Sequence, residues 1–255
     1  MTTKHVLIGA RIMYLILMAA GGAGYYAVVQ HQTQGENAMP FLEQVTGGGQ
    51  KEGDAKEPGD GEEAKRREAE KKAAAEEAAR RLEAAKQREK QMEELVSGMQ
   101  VITRGGVTYY SYHHDEHPMS GVYLRPFIAE RDGDCVLKND VYYYSSLEDE
   151  NYGWLHADRL DVNADGYAVT LAFDAGKRRD RLGKGAENVT ENYVTNVDAV
   201  TLQMLKAVGN ASQVTLRFYQ EGTAGAVSTL GRADIRRVHD MVTLYELMQA
   251  EKQGS

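Results

Sequence analysis

The sequence predicts an α+β protein in which a long charged helix precedes one folded domain, an antiparallel β-sheet or small sandwich with two helices. Three observations predict it. Residues 62–97 are dominated by alanine, glutamate, lysine and arginine, all strong helix formers. From Gly106 the pattern changes to short alternating runs rich in Val, Tyr, Phe and Leu, separated by turn signals such as ERDGD and NADG. Two later segments, about Asp198–Gly209 and ADIRRVHDMVTLYELMQA, return to helical spacing.

Residues 1–11 carry Lys4, His5 and Arg11 and read as a short cytoplasmic start. Ile12 to Val29 is an uncharged apolar run of 18 residues. As a helix it reaches about 27 Å, close to the hydrocarbon thickness of a bilayer. Positive charge precedes the run and only acidic charge follows it closely, which predicts a transmembrane helix at 12–29 with the remainder outside the cell membrane. A cleaved secretory signal fits the same basic start, apolar core and small residues Gly22 and Gly24. Either reading exports the rest of the chain.

Residues 30–61 contain GGGQKEGDAKEPGDG, too poor in apolar side chains to fold, and read as a flexible tether. In the helix at 62–97, acid stands four residues before base at Glu63 and Arg67, Glu68 and Lys72, and Glu77 and Arg81. Each such pair adds a few tenths of a kcal/mol to a solvated helix. Large apolar residues are missing until Leu82, Met92, Leu95 and Val96, which makes a poor coiled-coil seam and favours a spacer over a coiled coil. The order of span, Ala/Glu/Lys-rich helix and terminal domain resembles the layout of TolA-like envelope-spanning proteins, which implies a coupling role. The span lacks the Ser/His pattern those proteins use, since His5 precedes it and it contains no serine.

The domain occupies residues 100–252. VTYYSYHH, VYLRPFIAER, CVLKNDVYYYS, YGWLHADRLDVN and YAVTLAFD read as five successive antiparallel strands, and SQVTLRFYQ as a later one. Val200, Leu202, Leu205 and Val208 line the first helix, which Gly209 ends; Ile235, Val238, Val242, Leu244 and Leu247 line the closing helix. The succession of VYLRPFIAERDG, YGWLHADRLDVNADGYAVTLAFD, LKAVGNAS and VTLRFY resembles a β-rich domain of uncharacterised exported Firmicutes proteins, over about residues 122–250. That resemblance brings no established activity.

A net charge of −8 and a pI near 5.5 argue against a general nucleic-acid binder. Cys135 is the single cysteine, so a disulfide framework and a multi-cysteine metal site are excluded, and a buried thiol is expected. His113, His114, Asp115, Glu116 and His117 form the one dense cluster of metal-ligand type. Adjacent residues on a strand point to opposite faces and no second half-site follows, so a solvated loop and no cofactor are expected. Ser111, His113 and Asp115 stand too close in sequence for a catalytic set. Asp158, Asp161 and Asp165 lack the spacing of a calcium loop. Asn188 and Asn210 open glycosylation-type triplets. Trp154 and Tyr142 to Tyr144 could stack on sugars, but alternating aromatics read as core.

The remaining candidate is a basic run, Lys177, Arg178, Arg179, Arg181 and Lys184, set between a strand and the next segment of an acidic domain. It reads either as a solvated hairpin loop or as a contact for an anionic wall component, a lipid head group or an acidic envelope protein. The expected function is a single-pass, membrane-anchored cell-envelope protein presenting a non-enzymatic binding domain outside the membrane. The alternatives are a TolA-like coupling protein and an extracytoplasmic enzyme.

Overall fold

The computed structural model describes residues 60–115, 118–150 and 152–253. The predicted span at 12–29 and almost all of the predicted linker lie outside them. Among the described residues no helix is long and apolar enough to cross a membrane. The chain divides into two units, one ending at Glu83 and one running from Ala84 to its end.

Helix α1, Asp60–Ser97, follows from the run of strong helix formers. Ion pairs line its surface, among them Arg67–Glu63 at 2.8 Å and Arg81–Glu77 at 2.5 Å. They are exposed and weakly stabilising. The helix closes where Gly98 N–H donates to Leu95 O and Met99 N–H to Val96 O. Val96 and Met99 are buried and Met92 and Leu95 partly so, whereas the helix before Arg88 is exposed, so the core of the second unit begins before residue 100.

That second unit is α+β with two antiparallel sheets. Its elements are β1 (Gln100–Arg104), β2 (Val107–Ser111), β3 (Gly121–Arg131), β4 (Asp134–Ser146), β5 (Arg159–Ala164), β6 (Tyr167–Ala172), β7 (Arg178–Leu182), β8 (Asn188–Asn196), α2 (Ala199–Asn210), β9 (Val214–Gln220), β10 (Thr223–Thr229) and α3 (Arg232–Gln253). Six strands pair in the order β1-β2-β3-β4-β8-β7, and four in the order β10-β9-β5-β6.

Burial alternates along the two longest strands. On β3, Val122, Leu124 and Ile128 are buried while Tyr123, Arg125 and Phe127 are partly exposed; on β4, Leu137, Asn139, Val141 and Tyr143 are buried. This two-residue period gives the six-stranded sheet an inner and an outer face. Helix α3 lies against β3 and β4, and α2 packs on α3 and against β5 and β6. Where the sheets meet, Tyr143, Phe173, Tyr193 and Phe218 form an aromatic cluster, with Phe173 and Tyr193 rings 4.3 Å apart. The N–H of Val122 on β3 donates to Ser228 Oγ on β10 at 2.7 Å and ties the sheets together.

Several segments differ from the sequence expectation. YGWLHADRLDVN is not one strand: β5 begins only at Arg159, and the residues before it form a loop. The basic run is not a hairpin loop either. Arg178–Leu182 pairs with β8 as an edge strand, flanked by short 3-10 turns at Ala175–Lys177 and Lys184–Ala186. Charge conceals β7, since RRDRL shows no apolar alternation, and β8 is concealed by an inward-facing carboxylate, Glu191.

Candidate functional site

The outer face of the six-stranded sheet can be read residue by residue from the strand registers. Opposite residues share a face, so Tyr123 on β3, Tyr142 on β4, Asn192 on β8 and Arg179 on β7 form one row across four strands. The neighbouring rows place Arg125 beside Asp140, and Tyr144 beside Thr190 and Arg181.

The same registers sort the charges. Arg104, Arg125, Arg131, Lys138, Arg179 and Arg181 fall on the outer face, with Asp134 and Asp140 as its two strand acids. Both acids are partnered, Asp134 by Lys252 and Asp140 by Asn192. Glu130, Asp180 and Glu191 fall on the opposite face. The strands of a domain in a chain of net charge −8 thus place six cations on one side of one sheet, with Asp115 and Asp234 near Tyr123 at its β3 side.

At the centre of this face the Arg125 guanidinium lies 3.5 Å from the Tyr142 ring centroid and 5.5 Å from that of Tyr123. Stacking of this kind holds the planar group in one orientation and stabilises it by ~1 kcal/mol. Burial draws the Arg125 pKa below its ordinary value, with Tyr142 and Asp140 opposing that change. Beside it, both Asp140 carboxylate oxygens accept from Asn192 Nδ2, at 3.0 and 2.9 Å. Burial pushes Asp140 above the usual carboxylate range, while Asn192, Arg125 and Arg179 pull it back. The Tyr123 hydroxyl donates to Met119 O at 2.6 Å.

The five basic residues expected from sequence are therefore divided by the fold. Arg179 and Arg181 are exposed on the outer face. Arg178 turns inward and its Nε is bound by the Asp180 carboxylate at 2.8 and 3.1 Å. Lys177 ends one 3-10 turn and Lys184 opens the next. The sequence reading missed Arg125, Tyr123, Asp140 and Asn192 as members of this surface. The alternation in VYLRPFIAER sets Tyr123, Arg125 and Phe127 against Val122, Leu124 and Ile128, so the face of Arg125 was legible there. Its neighbours on β4, β8 and β7 depend on strand pairing, which alternation does not encode.

Other candidates resolve differently. His113 is exposed and His114 partly buried, and Glu116 and His117 lie outside the described residues. Among the described residues no three or more His, Cys, Asp or Glu come together as a metal-ligand group. No hydrogen bond joins Ser111, His113 and Asp115 among the described residues. Each aspartate of the trio braces the four-stranded sheet or its turns: Asp158 accepts from Glu221 N, Asp161 from Thr170 Oγ1, and Asp165 from Ser212 N and Gln213 N. Cys135 is buried, with Gln249 Nε2 3.4 Å from its sulfur, and burial pushes its thiol pKa up.

The aromatic expectation is corrected in part. Tyr143 is core on the inner face, and Tyr144 is buried although its register puts it on the outer face with Tyr142, which is partly exposed; Trp154 sits in the loop before β5 with 40% of its surface exposed. It stacks on His156, ring centroids 6.0 Å apart. That loop is pinned by Glu191, which accepts from Leu155 N at 2.5 Å and His156 N at 2.7 Å, and by the Tyr193 hydroxyl, which donates to Ala157 O at 2.7 Å and lies 3.3 Å from Glu191.

No protein-family model, curated protein or solved structure matches this chain.

Proposed function

We propose that the chain is a membrane-anchored cell-envelope protein whose folded domain is a non-enzymatic binding module for an anionic envelope component. The segment 12–29 acts as anchor, the charged helix as spacer, and the outer face of the six-stranded sheet as contact surface. The observation that supports this reading is the gathering of six cations on that face while the chain as a whole is acidic. A surface of this kind steers and orients an anionic partner, and its effect weakens as salt shortens the screening length.

The test uses the full chain. It is expected to stay with membranes after alkaline carbonate washing and to leave them when residues 1–30 are deleted. Solubilised in neutral detergent, it should be retained on purified cell wall at low salt and released by added salt. Recovery in the soluble fraction with an N-terminus near Tyr25 would replace the anchor with a cleaved signal. Absence of retention at low salt would remove the binding role.

A further inference from the structure

We propose that the row Tyr123–Tyr142–Asn192–Arg179, with Arg125 and Asp140 beside it, is a binding site for an acidic polysaccharide. The inference rests on the reading of the outer face as a contact surface and names what that surface recognises.

Three features of the row point to a sugar chain rather than to bare negative charge. It crosses four strands, and three inter-strand steps cover roughly 14 Å, enough for an extended polymer segment rather than a single ion. It mixes donors with an acceptor: Arg179, Arg125 and Asn192 donate, whereas Asp140 accepts, and Asn192 occupies its carboxylate through one nitrogen only. Hydroxyls, which both donate and accept, match that mixture; a polymer of carboxylates alone would meet Asp140 as a repulsive charge. The third feature is orientation. Arg125 is held flat by the Tyr142 ring, which presents a fixed planar fork suited to a carboxylate or phosphate. Tyr123 and Tyr142, with ring centroids 6.4 Å apart, add a partly exposed apolar surface next to these polar groups.

The experiment measures binding of the full chain, in neutral detergent, to polygalacturonate, phosphorylated dextran, unmodified dextran, poly-L-glutamate and oligothymidylate. At least one of the two acidic polysaccharides is expected to bind about tenfold more tightly than unmodified dextran and poly-L-glutamate, and the tighter of the two identifies the anionic group. Arg179→Ser with Arg181→Ser should weaken that binding about fivefold, whereas Lys177→Ser with Lys184→Ser, which removes the same charge from the flanking turns, should leave it unchanged. Asp140→Asn should weaken polysaccharide binding and strengthen poly-L-glutamate binding, a reversal that general loss of fold cannot produce.

Equal affinity for poly-L-glutamate, or equal losses in the two double variants, would overturn the polysaccharide site while leaving an anionic partner in place. Tightest binding to oligothymidylate would overturn it in favour of nucleic acid. Absence of binding to every anionic polymer would overturn both this inference and the reading beneath it.

Discussion

Glu191 shows how one side chain couples the two halves of the domain. It is fully buried on β8, yet its carboxylate takes the N–H groups of Leu155 and His156, so the loop ahead of β5 is fixed against the six-stranded sheet. A buried donor left without its partner costs about 1–3 kcal/mol. Glu191→Ala is therefore expected to lower unfolding stability by roughly 2–4 kcal/mol in a urea titration, and Glu191→Gln by less because the amide oxygen still accepts. An unchanged midpoint for the alanine variant would mean that the loop is held by its apolar contacts alone. His114 makes a second residue-scale prediction. Burial, then the positive charges of Arg125, Arg237 and His113, lower its pKa from 6.5 to about 4. A depressed histidine stabilises the fold above its unfolded pKa, and that contribution is lost as pH falls from 6.5 through about 4. His114→Gln should accordingly reduce the loss of thermal stability across this window. A parallel pH profile in the variant would assign the acid sensitivity to other groups.

At the scale of elements, the crossing of α2 and α3 depends on Gly209. A Cβ there would meet His239 Cα at 2.8 Å and His239 N at 3.0 Å, which are backbone atoms that cannot move away alone. Helix propensity favours alanine over glycine by about 1 kcal/mol, but overpacking against a neighbouring backbone costs roughly 1–3 kcal/mol. Gly209→Ala is thus expected to lower the melting temperature despite its better propensity, and a raised melting temperature would show that the helices can separate slightly at no cost. The helix stop expected at this glycine is not there. The helix continues through Asn210, and the glycine serves close approach instead. Strand β7 carries a similar lesson. Its pairing with β8 turns a contiguous basic run into two outward arginines and one inward, acid-bound arginine.

For the whole molecule, the boundary of the folded unit matters most. Val96 and Met99 are buried, so a fragment starting at residue 101 loses two apolar side chains that a fragment starting at Ala84 retains. Burying a side chain of this size contributes about 1.5–3 kcal/mol. The longer fragment should unfold cooperatively, and the shorter one should be less stable by roughly 3–6 kcal/mol in the same urea titration. Equal stability of the two would place these side chains outside the cooperative core.

By itself the sequence determined the class and the main order of parts: an Ala/Glu/Lys/Arg helix, alternating strands, an amphipathic helix, a further strand and a closing helix, with Leu205, Val208, Val238 and Leu244 on the buried sides, although Val200, expected with them, is exposed. These features are local, since propensity and periodicity are written within a few residues of each other. The buried side of β3 was legible for the same reason. Tertiary structure alone decided that the strands divide into two sheets, that RRDRL is an edge strand, and that Arg125, Asp140, Asn192 and Arg179 come together. Those outcomes depend on which strands pair and in what register, and residues such as Arg125 and Asn192, 67 positions apart, meet only after the intervening chain has folded.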